Sequence, residues 1–537
     1  MTKAAAAAHG GGPPWADKAV WQKAKRPPAA LVAAACVAAA LVLLPLAVTV
    51  LQALQVDPSD AVELLFRPLV GELLVNTVGL VIATTLLSAV IGTAAAWFVE
   101  RTTLPGRRVW AVLAAAPLVI PPFITSFAWV SISNALQDFA GALLVVTCAY
   151  YPLVYLPVAA ALRGLDPALE ESARSLGLGV RACFFRVVLP QLRPALLGGM
   201  LLVALNTLVE FGAFALLRFR TFTTQLYAQY RTGLDGPDSS LLAVVLILLC
   251  LLCLLAEQRV RGRAGYARIG RGTRRAATPH RLGWAALPVL AGFAVLAAAT
   301  LGVPVGMIVF WLLQHAEAAS SPAAPSWPGL LRAATASVSY GVAGAAAALV
   351  LAVPLGYLAT RYHGRWITLL ERTAYLAQGV PGIVVALALI SLTVQAIRPL
   401  YQSAALLVVT YGDPVPAARA GQRPRGAGAG AAGLEEAGRS LGLGWFAVTR
   451  RVLLPLAGPG LGAAAAMVFV SVVTELTGTL LLSPIGTRTL ATQVWANTST
   501  LAFAAAAPFA ALMLLISLLS TWLLARRFGG AAFAGVG

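Results

Sequence analysis

Beyond Lys25 this chain of 537 residues has no lysine at all. The lysines present, Lys3, Lys18, Lys23 and Lys25, follow no glycine-rich turn. A P-loop needs a Gly-Lys pair whose amine reaches the β- and γ-phosphates, so the chain is excluded as its own ATPase of that type. Charge of either sign is scarce, at 11% of residues, where a soluble domain carries about a quarter. Acidic residues number 20 against 39 basic ones, a formal charge of +19. That excess does not describe a nucleic-acid binder, because the arginines stand in short clusters between long apolar runs, the pattern of loops on the cytoplasmic side of a polytopic protein. Histidine is nearly absent: His9, His280, His315 and His363 lie far apart. The five cysteines are scattered, and Cys36, Cys250 and Cys253 fall inside apolar runs where a small buried hydrophobe is expected. Cys250 and Cys253 have CxxC spacing, but LLCLLCLLAE offers no polar neighbour to complete a metal or redox site.

What the sequence does have is apolar length, with 59% hydrophobic residues and a mean hydropathy of +0.82. A spanning helix needs about 20 mostly apolar residues. The first half offers six, near 29–54, 74–99, 109–132, 141–163, 196–217 and 239–257. The second half offers 283–313, 333–359, 373–396, an interrupted one at 402–420, then 460–482 and 502–525. Residues 1–28, rich in proline and glycine, read as a disordered tail before a retained first helix. The basic segment 258–282, with eight arginines from Arg259 to Arg281, reads as a linker between a first domain at 29–257 and a second at 283–527, followed by a tail at 528–537. Basic residues stay on the cytoplasmic side during insertion. Lys18 to Arg26, Arg101 to Arg108, Arg163 to Arg193, the linker and Arg526–Arg527 occupy alternate loops, so both termini and the linker are expected in the cytoplasm. Clustered arginines also attract anionic lipid headgroups.

One polar stretch occurs twice. EESARSLGLGVRACFFRVVLP begins at Glu170 and EEAGRSLGLGWFAVTRRVLLP at Glu435, an ungapped match at an offset of 265 residues. The register continues to Glu210 of TLVEFGAFALL opposite Glu475 of VVTELTGTLLL, and a weaker match upstream centres on Pro121 and Pro381. A repeat of this size indicates duplicated domains. Six spans is an even number, so the halves are parallel repeats about an axis along the membrane normal, with the path between them. Within the loop, Asp166 before Pro167 is a helix start and Glu170 and Glu171 favour its first turn. Gly177 and Gly179 are expected to end the helix in left-handed conformations, a second short helix to follow, and Pro190 and Pro194 to mark the bend into the next span. Two copies of a protruding helical element suit docking to two partner subunits.

The spacing Glu-x-Ala-x-x-x-Gly, with Pro thirteen residues later, resembles the EAA loop of ABC-importer permeases. That resemblance implies an all-α polytopic membrane protein: two parallel six-helix repeats of the type I ABC-importer permease fold, about 12 transmembrane helices. It implies a multi-pass protein of the plasma membrane (bacterial inner membrane), with no catalytic residue, metal or cofactor in this chain. ATP and Mg would be used by two copies of a cytoplasmic ABC ATPase, and solute would arrive on a periplasmic or lipid-anchored binding protein. Carried over residue by residue, the coupling candidates are Glu171, Ala173, Gly177 and Pro190 in the first loop, and Glu436, Gly438, Gly442 and Pro455 in the second. Gly438 departs from the pattern, where alanine is expected, and softens that helix by about 1 kcal/mol. The run TELTGTLLLSPIGTRTLATQVWANTSTLAFAAAAPFA and its partner LVEFGAFALLRFRTFTTQLYAQY resemble the ferric-iron type of permease; relatives of the same fold move thiamine, phosphonate, sulfate or polyamine.

Glu210 and Glu475 read as acids within membrane helices, about fourteen to fifteen residues in, at about 1.5 Å per residue. They suit a translocation path or gate, an interhelical polar contact, or the ion site of a secondary transporter, the competing class. The second half breaks its own repeat at Gly412 to Gly433, where GDPVPAARAGQRPRGAGAGAAG replaces an apolar helix and is two residues longer. Asp413, Arg419, Arg423 and Arg425 would each cost several kcal/mol near the bilayer centre. The segment reads as a local frameshift: with permissible codons, one nucleotide later can encode VIRFLPLALVSVRAALAQAPP, an apolar helix and loop.

Overall fold

The computed structural model describes residues 27, 29–232, 237–264, 279–317, 326–362, 364–377, 379–412, 440–448, 450–451 and 454–532. Among them the elements are helical, apart from one isolated β-bridge. In the first half the main ones are α1 (Ala29–Ala53), α2 (Pro68–Arg101), α3 (Arg107–Ala115), α4 (Pro122–Ile132), α5 (Phe139–Gly164), α6 (Pro167–Ser175), α7 (Val180–Val209), α8 (Phe222–Arg231) and α9 (Pro237–Ala264). The second half has α10 (Gly283–Gln314), α11 (Trp327–Arg361), α12 (Arg365–Ala377), α13 (Gly382–Gln395), α14 (Ala404–Tyr411), α15 (Leu454–Val473), α16 (Leu490–Ser499) and α17 (Phe503–Ala532).

Among the described residues, eight helices are long and apolar enough to cross a membrane, nine if the bent pair α3–α4 counts as one span. The difference from twelve expected spans has identifiable causes. The third stretch bends by 93° before Pro122, because Pro121 takes an extended conformation and caps α4. Its repeat-mate Pro381 does the same before the short apolar α13. In the fifth and eleventh stretches the long helix stops at Val209 or Val473 and a short one restarts at Gly212 or Thr477. α14 is only eight residues long, ending at Tyr411; residues 413–433, the suspected frameshift, lie outside the described residues. α9 is helical as far as Ala264 and α17 as far as Ala532.

Packing explains why small residues recur inside these helices. A side chain at Gly92 of α2 would sit 2.9 Å from the Tyr151 carbonyl oxygen and the Tyr155 amide of α5. One at Gly199 of α7 would sit 2.8 Å from the Leu153 oxygen on the opposite side. Val154 is fully buried between them, so two glycines set how closely three helices approach, as small residues do between membrane helices. The first helix of each half crosses to the other half. α1 packs on α9 and also on α11, α12 and α13, while α10 packs on α4 as well as α17. The halves are thereby interleaved, with α4, α13 and the two helix breaks meeting at the seam.

Candidate functional site

The first repeated loop folds as a protruding helix. Asp166 caps α6 by accepting the Ala168 amide at 3.0 Å, with Pro167 at the first helical position; such a cap is worth about 1 kcal/mol. α6 faces the protein through Pro167, Glu170 and Ala173 and exposes Glu171. Its end is a Schellman turn. The Gly177 amide donates to the Arg174 oxygen at 3.0 Å and the Leu178 amide to the Ala173 oxygen at 3.1 Å. Gly177 is left-handed at φ 86°. Gly179 is not: it is extended at φ −64° and starts the next helix, since a single left-handed residue already closes the turn. The expected second short helix is no separate element either. It forms the first turn of α7, which continues through a π-turn at Phe184–Val188, with Pro190 just beyond that turn.

The second loop repeats the turn where it is described. Gly442 is left-handed at φ 80°. Glu436 and Gly438 lie outside the described residues, and Pro455 sits exposed at the start of α15. Just before each left-handed glycine stands a leucine with its side chain in the open: Leu176 is 84% exposed and Leu441 82%. The glycine and glutamate spacing pointed to these turns; the leucines were visible in SLGLG but their exposure was not, because exposure depends on the turn geometry.

An ion pair fixes the first loop from below. Arg101, the last residue of α2, places Nη2 2.9 Å from Glu170 Oε1 and donates to the Leu162 carbonyl at 3.0 Å. Both side chains are buried, so removing one partner costs about 3–5 kcal/mol. Alongside, Arg163 approaches Glu100 at 3.5 Å. Sequence reasoning placed Glu170 at the helix dipole and missed this partner, which is 69 residues away in the chain.

The two seam acids are placed differently from their expected position. Neither lies inside a membrane helix: Glu210 is the C-cap of α7, in extended conformation, and Glu475 lies beyond the end of α15. Each carboxylate caps the short helix that follows. Glu210 Oε1 accepts the Ala213 amide at 3.0 Å and Oε2 the Tyr150 hydroxyl at 2.6 Å. Glu475 accepts the Gly478 amide at 2.9 Å, the Thr479 amide at 3.0 Å and the Thr479 hydroxyl at 3.0 Å, and Tyr411 hydrogen-bonds that hydroxyl in turn. The breaks meet across the halves: a methyl group on Gly212 would lie 2.9 Å from Leu476. Phe211 and Trp495 pack beside them as a tilted ring pair with centroids 5.6 Å apart. Each carboxylate thus caps the helix that restarts after its break, and the two breaks meet at the seam.

A twice-repeated, interleaved helical membrane protein with broken helices at its seam and paired protruding turns is the architecture of a multi-pass permease. The chain belongs to the family described as binding-protein-dependent transport system inner membrane component, whose model matches residues 88–260 and 352–528. It is 34% identical over 511 residues, 94% of this chain and 99% of the relative, to the Fe(3+)-transport system permease protein FbpB 2 of Haemophilus influenzae. Similarity to the molybdenum transport system permease protein ModB of Escherichia coli is 30% over 26% of this chain and 65% of that protein. For the sulfate transport system permease protein CysT of the same species it is 26% over 38% of the chain and 82% of that protein.

Proposed function

We propose that the chain is the membrane-spanning half of an ATP-driven ferric-iron importer. In this reading the face bearing α6 is cytoplasmic, as are both termini, and each of the turns at Gly177 and Gly442 seats in one copy of an ABC ATPase. Glu171, Ala173, Gly177 and Pro190, with Glu436, Gly438, Gly442 and Pro455, form the two coupling elements. The observation that carries the reading is the pair of left-handed turns at equal register, each lifting one leucine into solvent. A lone exposed leucine needs no explanation, but two at the same place in a duplicated fold fit two sockets.

ATP is hydrolysed, with Mg²⁺ bound, in the partner, since the only lysines precede residue 26. Closure of the ATPase pair draws the two turns together, and the interleaved halves rock about the seam to expose the path alternately to each side. Glu210 and Glu475 serve there as the gate, by stabilising the helix breaks that part or close. A periplasmic or lipid-anchored binding protein delivers solute to the opposite face. Ferric iron is favoured because the iron-permease relative matches 94% of this chain, whereas the molybdenum and sulfate permeases match 26% and 38% of it. The test is reconstitution in proteoliposomes with the ATPase and binding protein encoded beside it, measuring uptake of radioactive ferric iron against molybdate, sulfate, thiamine and phosphonate. Uptake that persists without ATP and follows a proton gradient overturns the reading; ATP-dependent uptake of another solute overturns only the iron assignment.

A further inference from the structure

The Arg101 guanidinium joins three helices at one point. It terminates α2, the longest span of the first half, pairs with Glu170 on α6, and holds the last turn of α5 through the Leu162 carbonyl. The far end of the linker then covers the joint. The His280 amide donates to the Arg101 oxygen at 2.8 Å, and the Thr103 amide to the His280 oxygen at 2.9 Å, a short strand-like pairing. The Leu282 amide reaches the Thr103 hydroxyl at 3.4 Å. The His280 ring lies on Trp97 at 5.8 Å, and Trp97 meets Phe184 at the root of α7 at 4.8 Å. Every element entering or leaving the first loop is therefore tied to the end of α2.

We propose that Arg101 is a positioning residue of the first loop: it locks α6 to α2 so that the two move as one body, with the linker end at His280 strapped over the lock. The physical ground is stiffness. A nine-residue helix is too short to be stable on its own, and it is joined to its neighbours through single extended cap residues, Leu165 and Gly179, which alone would transmit little of a force applied to its exposed face. A buried pair with a second bond to α5 removes that freedom. In the second half Arg361 ends α11 as Arg101 ends α2, and Glu435 stands in sequence register with Glu170. The proposal rests on reading α6 as the ATPase-docking helix.

The experiment uses the full chain in lipid nanodiscs, without its native cysteines, carrying spin labels at Ser172→Cys on α6 and Val90→Cys on α2. Pulsed electron resonance should give one narrow distance that keeps its width when the ATPase and ATP are added. Arg101→Met should at least double that width, with Glu170→Gln and Arg101→Lys falling between; these two keep the test usable if Arg101→Met fails to insert. With the ATPase present, Arg101→Met should lower binding-protein-stimulated ATP turnover tenfold or more while ATPase recovery changes less than twofold. An unchanged distance width in the variants, or ATPase recovery that falls in step with turnover, overturns the proposal. Failure of the unmutated chain to retain the ATPase at all would instead sink the docking reading, and the distance widths would still decide whether Arg101 makes the lock.

Discussion

Replacing Gly177 with alanine tests the turn that both loops share. At φ 86° the residue lies in the left-handed region, where a Cβ costs about 1–2 kcal/mol. A methyl group there would meet nothing within 4 Å, so the whole penalty is backbone strain and none is a clash. It falls on two hydrogen bonds, Gly177 to Arg174 and Leu178 to Ala173, and on the placement of Leu176. If the ATPase binds only the formed turn, about 1–2 kcal/mol becomes a loss of about 5–30-fold in affinity. Gly442→Ala should lose a similar amount, since its φ is 80° and its surroundings are equally open. Asparagine tolerates this region better than alanine, so Gly177→Asn should lie between alanine and glycine. The assay is ATPase capture by nanodisc-embedded chain over a concentration series, with insertion checked by yield. Equal affinity for glycine and alanine, or asparagine no better than alanine, would refute the reasoning.

Leu176→Asp and Leu441→Asp should each abolish most ATPase capture without changing yield in the membrane, because both side chains are exposed in the free chain; capture at the unmutated level would remove them from the interface. At the seam, Glu210→Gln keeps an acceptor for the Ala213 amide and Glu210→Ala does not, so uptake should survive the first and fall severalfold in the second. Loss of uptake in both would mean that the charge itself is needed along the path. His280 is held below the ordinary imidazole range, first by burial and then by Arg174 and Arg101, with Glu170 opposing. A lowered folded value means that stability is present above the unfolded pKa of about 6.5 and is lost as pH falls through the folded one. Cleavage by protease between residues 265 and 280 should therefore rise on acidification below about pH 6, and His280→Gln should remove the pH dependence.

The duplicated loop was legible because its signals are local. Asp166–Pro167 and Gly177 act through their own backbone, so their spacing alone specifies a capped helix and its left-handed stop, and the structure has both. Gly179 failed as a second stop for the same reason: once Gly177 has closed the turn, the neighbour is free to start the next helix. The seam was harder to read, because hydropathy counts residues and ignores direction. Around Pro121 an apolar stretch of spanning length turns through 93°, and a proline marks a break without giving its angle. Glu210 looked like an acid buried in a helix because the residues on both sides are apolar, yet its carboxylate accepts an amide three residues on and so ends the helix it was assigned to. Arg101 was invisible as anything but a positive-inside residue until α2 and α6 were placed side by side. What a linear pattern conveys is what a residue does to its own backbone; the joints through which α6 can move α2 depend on pairs that only the packed helices bring together.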